Sequence, residues 1–215
     1  QKKKPMTRMG IAALLRETLT KAENYRNKQD KEKNLGMEAL VKVLEGKVPL
    51  KAHAHRADDI LTALRIAREF GVRITIEHCT EGDRILDALK EAGVPCIIGP
   101  SLSTRSKYEL RYRNYSTAKV LSDAGILTAI MTDHPVIPAK ELRVCAIAAI
   151  REGLDPKEAL KMITINPAKI FGVDQEIGSL EPGKSADFVV WSGDPFDART
   201  YVEELYVDGV LVYKN

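Results

Sequence analysis

The histidines of this chain and one aspartate lie where chemistry could occur. His53 and His55 stand one residue apart in KAHAHRADDI, His78 lies in ITIEHCT, and Asp133 precedes His134 in MTDHPVIP. Two imidazoles and a carboxylate are ligands that a borderline divalent metal such as Zn²⁺ accepts. Such a metal lowers the pKa of the water that it binds, and a nearby carboxylate can carry the proton to a leaving amine. These residue types therefore indicate metal-dependent hydrolysis as the candidate chemistry.

The elements that must position these residues form a repeating pattern of strand, helix and glycine. Apolar runs predict strands over 48–53, 72–78, 94–99 and 126–132, and amphipathic runs predict helices over 57–70, 83–92, 117–124 and 139–152. Strands that alternate with helices pair in parallel, and the sites of such sheets lie at the carboxyl ends of the strands. His53, His78 and Asp133 all fall at such ends, so we expect them on one rim of the sheet.

The two flanks of this repeat have a different pattern. Helices are predicted over 9–27 and 36–45, ahead of the first strand. The tail holds two short helices, the second entered through Pro167, and then strands joined by turns, with Asp208 and Gly209 as a hairpin signal. The sequence therefore predicts an α/β body with a small β-rich appendage.

Composition argues against several classes of protein. The net charge of +3 over 215 residues is too small to indicate a nucleic-acid or anionic-lipid partner. No apolar run reaches the roughly 18 residues that a membrane span needs. No G-x-G-x-x-G motif follows a predicted strand, which argues against a nucleotide-binding sheet. Cys79, Cys96 and Cys145 have no metal-ligand spacing, so reduced thiols and a cytoplasmic location are expected.

The histidine motifs and two segments further along the chain carry a family resemblance. PLKAHAH, ITIEHC and TAIMTDHPV, followed by TINPAKIFGV and IGSLEPGKSADFVVW, are similar to the C-terminal half of an amidohydrolase-superfamily enzyme of the imidazolonepropionase- and prolidase-like branch. The resemblance implies an α/β fold, namely the C-terminal half of a TIM-like (β/α)8 barrel, strands five to eight, with the C-terminal part of a small β-sandwich domain. It divides the chain into helices before strand five (1–46), half of the barrel (47–172) and the returning part of the sandwich (173–215).

The resemblance also implies roles for individual residues. His53 and His78 would be metal ligands after strands five and six. Asp133, after strand eight, would be both a metal ligand and the catalytic proton shuttle. The implied metal is Zn²⁺, with Fe²⁺ or Mn²⁺ as alternatives, because all three accept two histidines and an aspartate.

Three further residues, His55, Arg105 and His134, are candidates for contact with a substrate. His55 would share a face with His53 if the strand continued, and both could then bind metal, but the helix that follows could turn it elsewhere. Arg105 could hold a substrate carboxylate in a bidentate contact or remain solvated in its loop. His134 lies at the rim, either against the substrate or in solvent.

The family pattern is incomplete in this sequence. The first HxH motif and the bridging Lys or Glu of a middle strand cannot be placed, and Gln1 stands where an initiator Met is expected. We therefore expect the C-terminal part of a longer hydrolase that acts on C–N bonds of small amides or cyclic amides, inactive by itself. A homo-oligomer could cover its exposed strand edges. The alternative hypothesis is a non-catalytic amidohydrolase-like scaffold for assembly, which metal content would distinguish from the enzyme.

Overall fold

The computed structural model describes residues 5 and 7–215, so the beginning of the predicted 1–46 segment lies outside the described residues. The described chain opens with two helices, α1 (Arg8–Asn27) and α2 (Leu35–Leu44). The side-chain oxygens of Thr7 and Asn34 cap these helices, since each accepts the N–H of the residue three positions further on. None of the described helices combines the length and the apolar character needed to cross a membrane.

A four-stranded parallel sheet forms the body of the molecule. Its strands alternate with helices in the order β1 (Leu50–Ala54), α3 (Ala57–Phe70), β2 (Ile74–His78), α4 (Leu86–Ala92), β3 (Cys96–Ile98), α5 (Thr117–Asp123), β4 (Thr128–Ile130) and α6 (Leu142–Arg151). The strands lie side by side as β1-β2-β3-β4, each parallel to its neighbour. The predicted α/β fold with a parallel sheet is therefore confirmed.

The beginning of α4 differs from the prediction. The helix predicted over 83–92 opens instead with a 3-10 turn, Gly82–Arg84. The chain turns tightly there because the N–H of Glu81 donates to the carbonyl of His55, 2.9 Å away. This bond holds the segment after β2 against the segment after β1. The α-helix α4 begins after the 3-10 turn, at Leu86.

The remaining chain forms two short helices and a small antiparallel sheet. These elements are α7 (Pro156–Met162), α8 (Ile165–Phe171), β5 (Phe188–Trp191), β6 (Val202–Val207) and β7 (Val210–Lys214). Asp208 and Gly209 join β6 to β7 with φ angles of 49° and 74°, which confirms the predicted hairpin. Arg143 of α6 links this sheet to the body, since its guanidinium donates to the carbonyl of Pro195 and lies over the ring of Trp191.

The helices cover one face of the parallel sheet. Ile76 of β2 and Cys96 of β3 are fully buried in one apolar cluster with Ile60, Leu89 and Leu121 of α3, α4 and α5. Burying each such aliphatic side chain stabilises the fold by about 1.5–3 kcal/mol. This packing fixes the strands relative to one another and so sets where their carboxyl ends lie.

The opposite face of the sheet is divided in two. On β1 and β2 it is polar, with the Nζ of Lys51 3.1 Å from Oε1 of Glu77. On β3 and β4 it is apolar, because Ile97 and Ala129 pack against Ile170 of α8. The half on β3 and β4 is part of the core. The half on β1 and β2 is polar and has the histidines at its carboxyl end.

Candidate metal centre

The strands β1 and β2 bring His53 and His78 together at their carboxyl ends. In the parallel register His53 pairs with Glu77, and His78 pairs with Ala54. Strand alternation alone would therefore point His78 toward the helices. The strand ends at His78, where φ is +69°, and its ring meets that of His53, with 3.3 Å between His78 Nε2 and His53 Nδ1. Such a left-handed backbone is uncommon for a residue with a side chain.

His55 joins this pair from the turn after β1. Its side chain is buried, with 6% of the residue exposed. Its Nε2 lies 3.2 Å from Nε2 of His53, and its Nδ1 lies 2.8 Å from Oγ1 of Thr80. One nitrogen from each of His53, His55 and His78 lies within 4.8 Å of the other two. We call these three residues the histidine cluster, and its nitrogens could hold a metal ion between them.

For neutral rings, one assignment of the ring protons satisfies all of these hydrogen bonds. His78 Nδ1 lies 2.7 Å from the carbonyl oxygen of Gly99, which can only accept, so Nδ1 bears the proton and Nε2 the lone pair. His78 Nε2 accepts from His53 Nδ1, and His53 Nε2 accepts in turn from His55 Nε2. His55 Nδ1 then accepts from the hydroxyl of Thr80. This assignment directs the lone pair of His78 to Nε2, the nitrogen that faces the other two rings.

The surroundings lower the pKa of two of these rings, His55, which is buried, and His53, which is exposed. Desolvation, with added repulsion from His78 and Lys107, lowers the pKa of His55 from 6.5 to about 3. The pKa of His53 is lowered by the same causes, in part opposed by the carboxylate of Asp133. Neutral imidazoles offer their lone pairs near neutral pH, which is the state that metal binding requires.

Gly99 joins the histidine cluster to the next strands. Its φ is 144°, and a Cβ at this position would stand 2.1 Å from the carbonyl oxygen of Met131. Only glycine lets the two backbones approach this closely while the Gly99 carbonyl holds His78. A carbonyl that accepts from the second ring nitrogen is the usual partner of a metal-binding histidine, so this contact supports the fit to a metal.

Asp133 follows Met131, the residue of the β4 end that Gly99 approaches. It is half-buried in the turn after β4, with a φ of +53°. Among the described residues, the group whose ligand atoms lie within 4.8 Å of one another is the histidine cluster, and Asp133 is not part of it. Its charge nevertheless acts on the pKa of His53. The role of Asp133 as a metal ligand and proton shuttle therefore stays a prediction.

The structure places His134 and Arg105 in exposed loops. His134 follows Asp133 and is exposed. Arg105 is also exposed, and its Nη2 donates to the carbonyl oxygen of Arg113, 2.6 Å away. The substrate contacts predicted for both residues stay predictions.

A cavity of about 1090 Å³ reaches His53 and His55 along the edge of β1. In the part of the chain that the structure describes, β1 pairs with β2 alone, so the backbone groups of Lys51 and His53 point away from the sheet. Residues of α1 and α3 line the cavity, including the apolar side chains of Leu15 and Ile66. The histidine cluster is therefore open to a small molecule from this side.

Sequence reasoning missed several residues that shape the site. Thr80 and Gly99 hold ring nitrogens, and Lys107 lines the cavity and acts on the pKa of two histidines. A glycine at a strand end signals a close backbone approach, which could have pointed to Gly99. The length of the loop over 100–115 predicts a functional segment, but the residue that it suggested was Arg105 and not Lys107.

Comparisons with known proteins identify the family of the chain. The profile of the Amidohydrolase family matches residues 32–212. The chain is 26% identical to the amidohydrolase tasK of Hapsidospora irregularis over 99% of its own length and 24% of that protein. It is 30% identical to the imidazolonepropionase of Solibacter usitatus, over 77% of its length and 41% of that enzyme.

One solved structure is matched over a larger share of its own length than these two relatives are. The crystal structure of an amidohydrolase from Thermotoga maritima MSB8 superposes with a TM-score of 0.94 at 47% identity, over 98% of this chain and 57% of that one. The chain thus spans less than half of the two curated relatives and somewhat more than half of the solved one. The resemblance seen in the sequence is confirmed, and the chain belongs to the amidohydrolase family.

Proposed function

We propose that this chain supplies part of the metal centre of a hydrolase that cleaves the C–N bond of a small amide or cyclic amide. The observation that carries the proposal is the histidine cluster, whose three rings each bring a nitrogen within 4.8 Å of the others. The carbonyl of Gly99 orients the His78 ring by accepting from its Nδ1. Membership of the amidohydrolase family supports the same chemistry.

The chain's own residues would divide the work as follows. His53 and His78 would hold the metal, and His55 offers a third nitrogen within 4.8 Å of theirs. Zn²⁺ fits a set of imidazole ligands, with Fe²⁺ or Mn²⁺ as alternatives. When bound, the ion supplies Lewis acidity toward an amide carbonyl and toward water. The carboxylate of Asp133 accepts a proton from the attacking water and returns it to the leaving nitrogen.

We infer further that the sheet β1 to β4 corresponds to strands five to eight of a TIM-like barrel, within residues 47–172. The antiparallel sheet would be the returning part of a β-sandwich over 173–215. The share of the solved relative that this chain covers, 57%, supports this assignment. The remaining metal ligands would then come from polypeptide outside this chain, so the chain alone would show no appreciable activity. His134 and Arg105 would meet the substrate from the loops.

Metal titration of the chain tests the proposal. After treatment with a chelator, Co²⁺ or Zn²⁺ is added, and bound metal is measured by equilibrium dialysis with elemental analysis. We expect one equivalent of metal to bind. His78→Ala should weaken binding by more than about 100-fold, beyond the range typical of an outer-shell residue, while the exposed control His134→Ala should change it by less than about twofold.

The remaining outcomes separate the roles. Asp133→Asn should weaken binding by about tenfold or more if its carboxylate completes the ligand set, and less if it only relays protons. A chain that binds no metal, or binds it equally well without His78, would contradict the metal centre. That result would favour the non-catalytic scaffold.

A further inference from the structure

Next to the histidine cluster lies a buried carboxylate that the proposed chemistry does not use. Glu81 is only 5% exposed. Among the buried side-chain oxygens and nitrogens of the described residues, its Oε1 is the atom without a hydrogen-bond partner. Burying a carboxylate is costly, so an unsatisfied oxygen of this kind needs an explanation in the structure around it.

Glu81 is bonded to both sides of the turn that carries His55. Its N–H donates to the carbonyl oxygen of His55 at 2.9 Å. Its Oε2 accepts the N–H of Ala57 at 3.0 Å. The neighbouring Thr80 bonds the ring itself, with 2.8 Å between Oγ1 and Nδ1 of His55. The two consecutive residues Thr80 and Glu81 therefore hold the backbone and the ring of one histidine.

The N-terminus of α3 also depends on this carboxylate. Arg56 occupies the N-cap position but makes no capping bond, because its guanidinium carries only donors and cannot accept a helix N–H. Glu81 accepts the N–H of Ala57, one of the first-turn N–H groups that have no partner within the helix. Its negative charge also lies at the positive end of the helix dipole. The start of α3 and the position of His55 are thus fixed together.

The unsatisfied oxygen of Glu81 has a cation close by. Nη2 of Arg111 lies 4.0 Å from Oε1, which is too far for a hydrogen bond. The guanidinium of Arg111 lies 3.9 Å from the ring centre of Tyr108 and 4.5 Å from that of Tyr112. These two rings hold the positive charge beside the buried carboxylate.

We propose that Glu81 is a positioning residue that keeps His55 in the histidine cluster, with Arg111 as the cation that stabilises its charge. It acts through the turn over 55–57 and touches neither substrate nor metal. That the position of His55 matters for metal affinity rests on the proposed function. The position of the His55 ring does not, and it can be measured on the metal-free chain.

Carbethoxylation of His55 by diethyl pyrocarbonate, followed by mass spectrometry, measures how well the ring is protected. Glu81→Ala should raise the rate at His55 by about tenfold, because the turn opens more often. Glu81→Gln keeps an acceptor for the N–H of Ala57 and should raise the rate less. The matched control is Asp155→Ala, which removes the carboxylate that caps α7 through the N–H of Lys157.

The control separates positioning from general loosening. Asp155→Ala should lower the melting temperature, as Glu81→Ala does, yet leave the rate at His55 within about twofold of the original chain. A rise at His55 in Asp155→Ala as large as in Glu81→Ala overturns the proposal. An unchanged rate in a folded Glu81→Ala chain overturns it too, and if that variant does not fold, an unchanged rate in Glu81→Gln does so.

A Co²⁺ titration of the same proteins keeps the two proposals apart. If the unaltered chain binds no Co²⁺ while the protection of His55 still depends on Glu81, the proposed function fails and the positioning role stands. If the chain binds Co²⁺ and the protection of His55 does not depend on Glu81, the positioning role fails and the metal centre stands.

Discussion

The two sides of the sheet's carboxyl rim hold similar residue types in different states. On the side of β1 and β2, all six ring nitrogens of the histidine cluster lie within hydrogen-bond distance of a partner. On the side of β3 and β4, His134 is exposed and Arg105 donates to a carbonyl of its own loop. Asp133 stands between these extremes, half-buried after β4.

The difference follows from what each turn is bonded to. The turn after β1 and the turn after β2 are bonded to each other, through the N–H of Glu81 and the carbonyl of His55. The turn after β4 is closed on itself, since the N–H of Val136 donates to the carbonyl of Asp133. One side of the rim is therefore organised by a bond between its two turns, and the other is joined to it at Gly99.

The largest effect is expected from breaking that junction with Gly99→Ala. The new Cβ would stand 2.1 Å from the Met131 carbonyl, at a φ of 144° that side chains rarely adopt. We expect the free energy of unfolding to fall by roughly 2–6 kcal/mol, from backbone strain and overpacking together. Metal affinity should also fall by about 10–100-fold, because the carbonyl that orients His78 must move. Urea unfolding and Co²⁺ titration measure the two effects.

Gly93→Ala is the matched control for this substitution. Gly93 also has a positive φ, of 61°, but no atom lies within 4 Å of the position of an added Cβ. Gly93→Ala should lower the free energy of unfolding by about 1–2 kcal/mol and leave metal affinity unchanged. Equal effects of the two substitutions would mean that Gly99 matters only for its backbone angle and that the two sides of the rim are not joined there.

The same comparison shows what could be predicted from the sequence. The meeting of His53 and His78 was predictable, because strands in a βα repeat are parallel and their carboxyl ends lie on one edge. The hairpin at Asp208 was predictable from its local turn chemistry. These features depend on periodicity or on adjacent residues, and both are visible in a single sequence.

The placement of His55 could not be predicted in the same way. Its spacing from His53 puts the two on one face only if the strand continues, and the strand ends at Ala54. The ring is held instead by Thr80, which lies 25 residues further along the chain. Nothing in the local sequence specifies such a contact, so it emerges only once β1 and β2 are paired.

A smaller effect on the free energy of unfolding is expected from a change of pH, through His55 on the organised side of the rim. The pKa of His55 is about 3 in the folded chain and 6.5 in its unfolded reference. The unfolded chain therefore binds a proton first as the pH falls, and the folded state loses stability between about pH 7 and pH 3. The loss from this one ring at pH 4.5 should be about 2–3 kcal/mol.

Urea unfolding of the metal-free chain at several pH values measures this loss. The variant His55→Gln cannot take up the proton, so its unfolding free energy should depend less on pH than that of the original chain over the same range. Parallel pH profiles for the two proteins would mean that the ring is not held in its buried, neutral form.

The smallest effect is expected from Arg105→Ala on the other side of the rim. Arg105 is exposed and makes one bond to a carbonyl, so its loss should change the unfolding free energy by less than about 0.5 kcal/mol. The neighbouring Arg113 is the contrast, because its guanidinium bonds Ser103 and the carbonyl of Thr104. Arg113→Ala should cost about 1–3 kcal/mol and speed proteolysis of the loop over 100–115. If Arg105→Ala instead weakened Co²⁺ binding as Gly99→Ala does, Arg105 would belong to the organised side, and the division of the rim into two states would have to be abandoned.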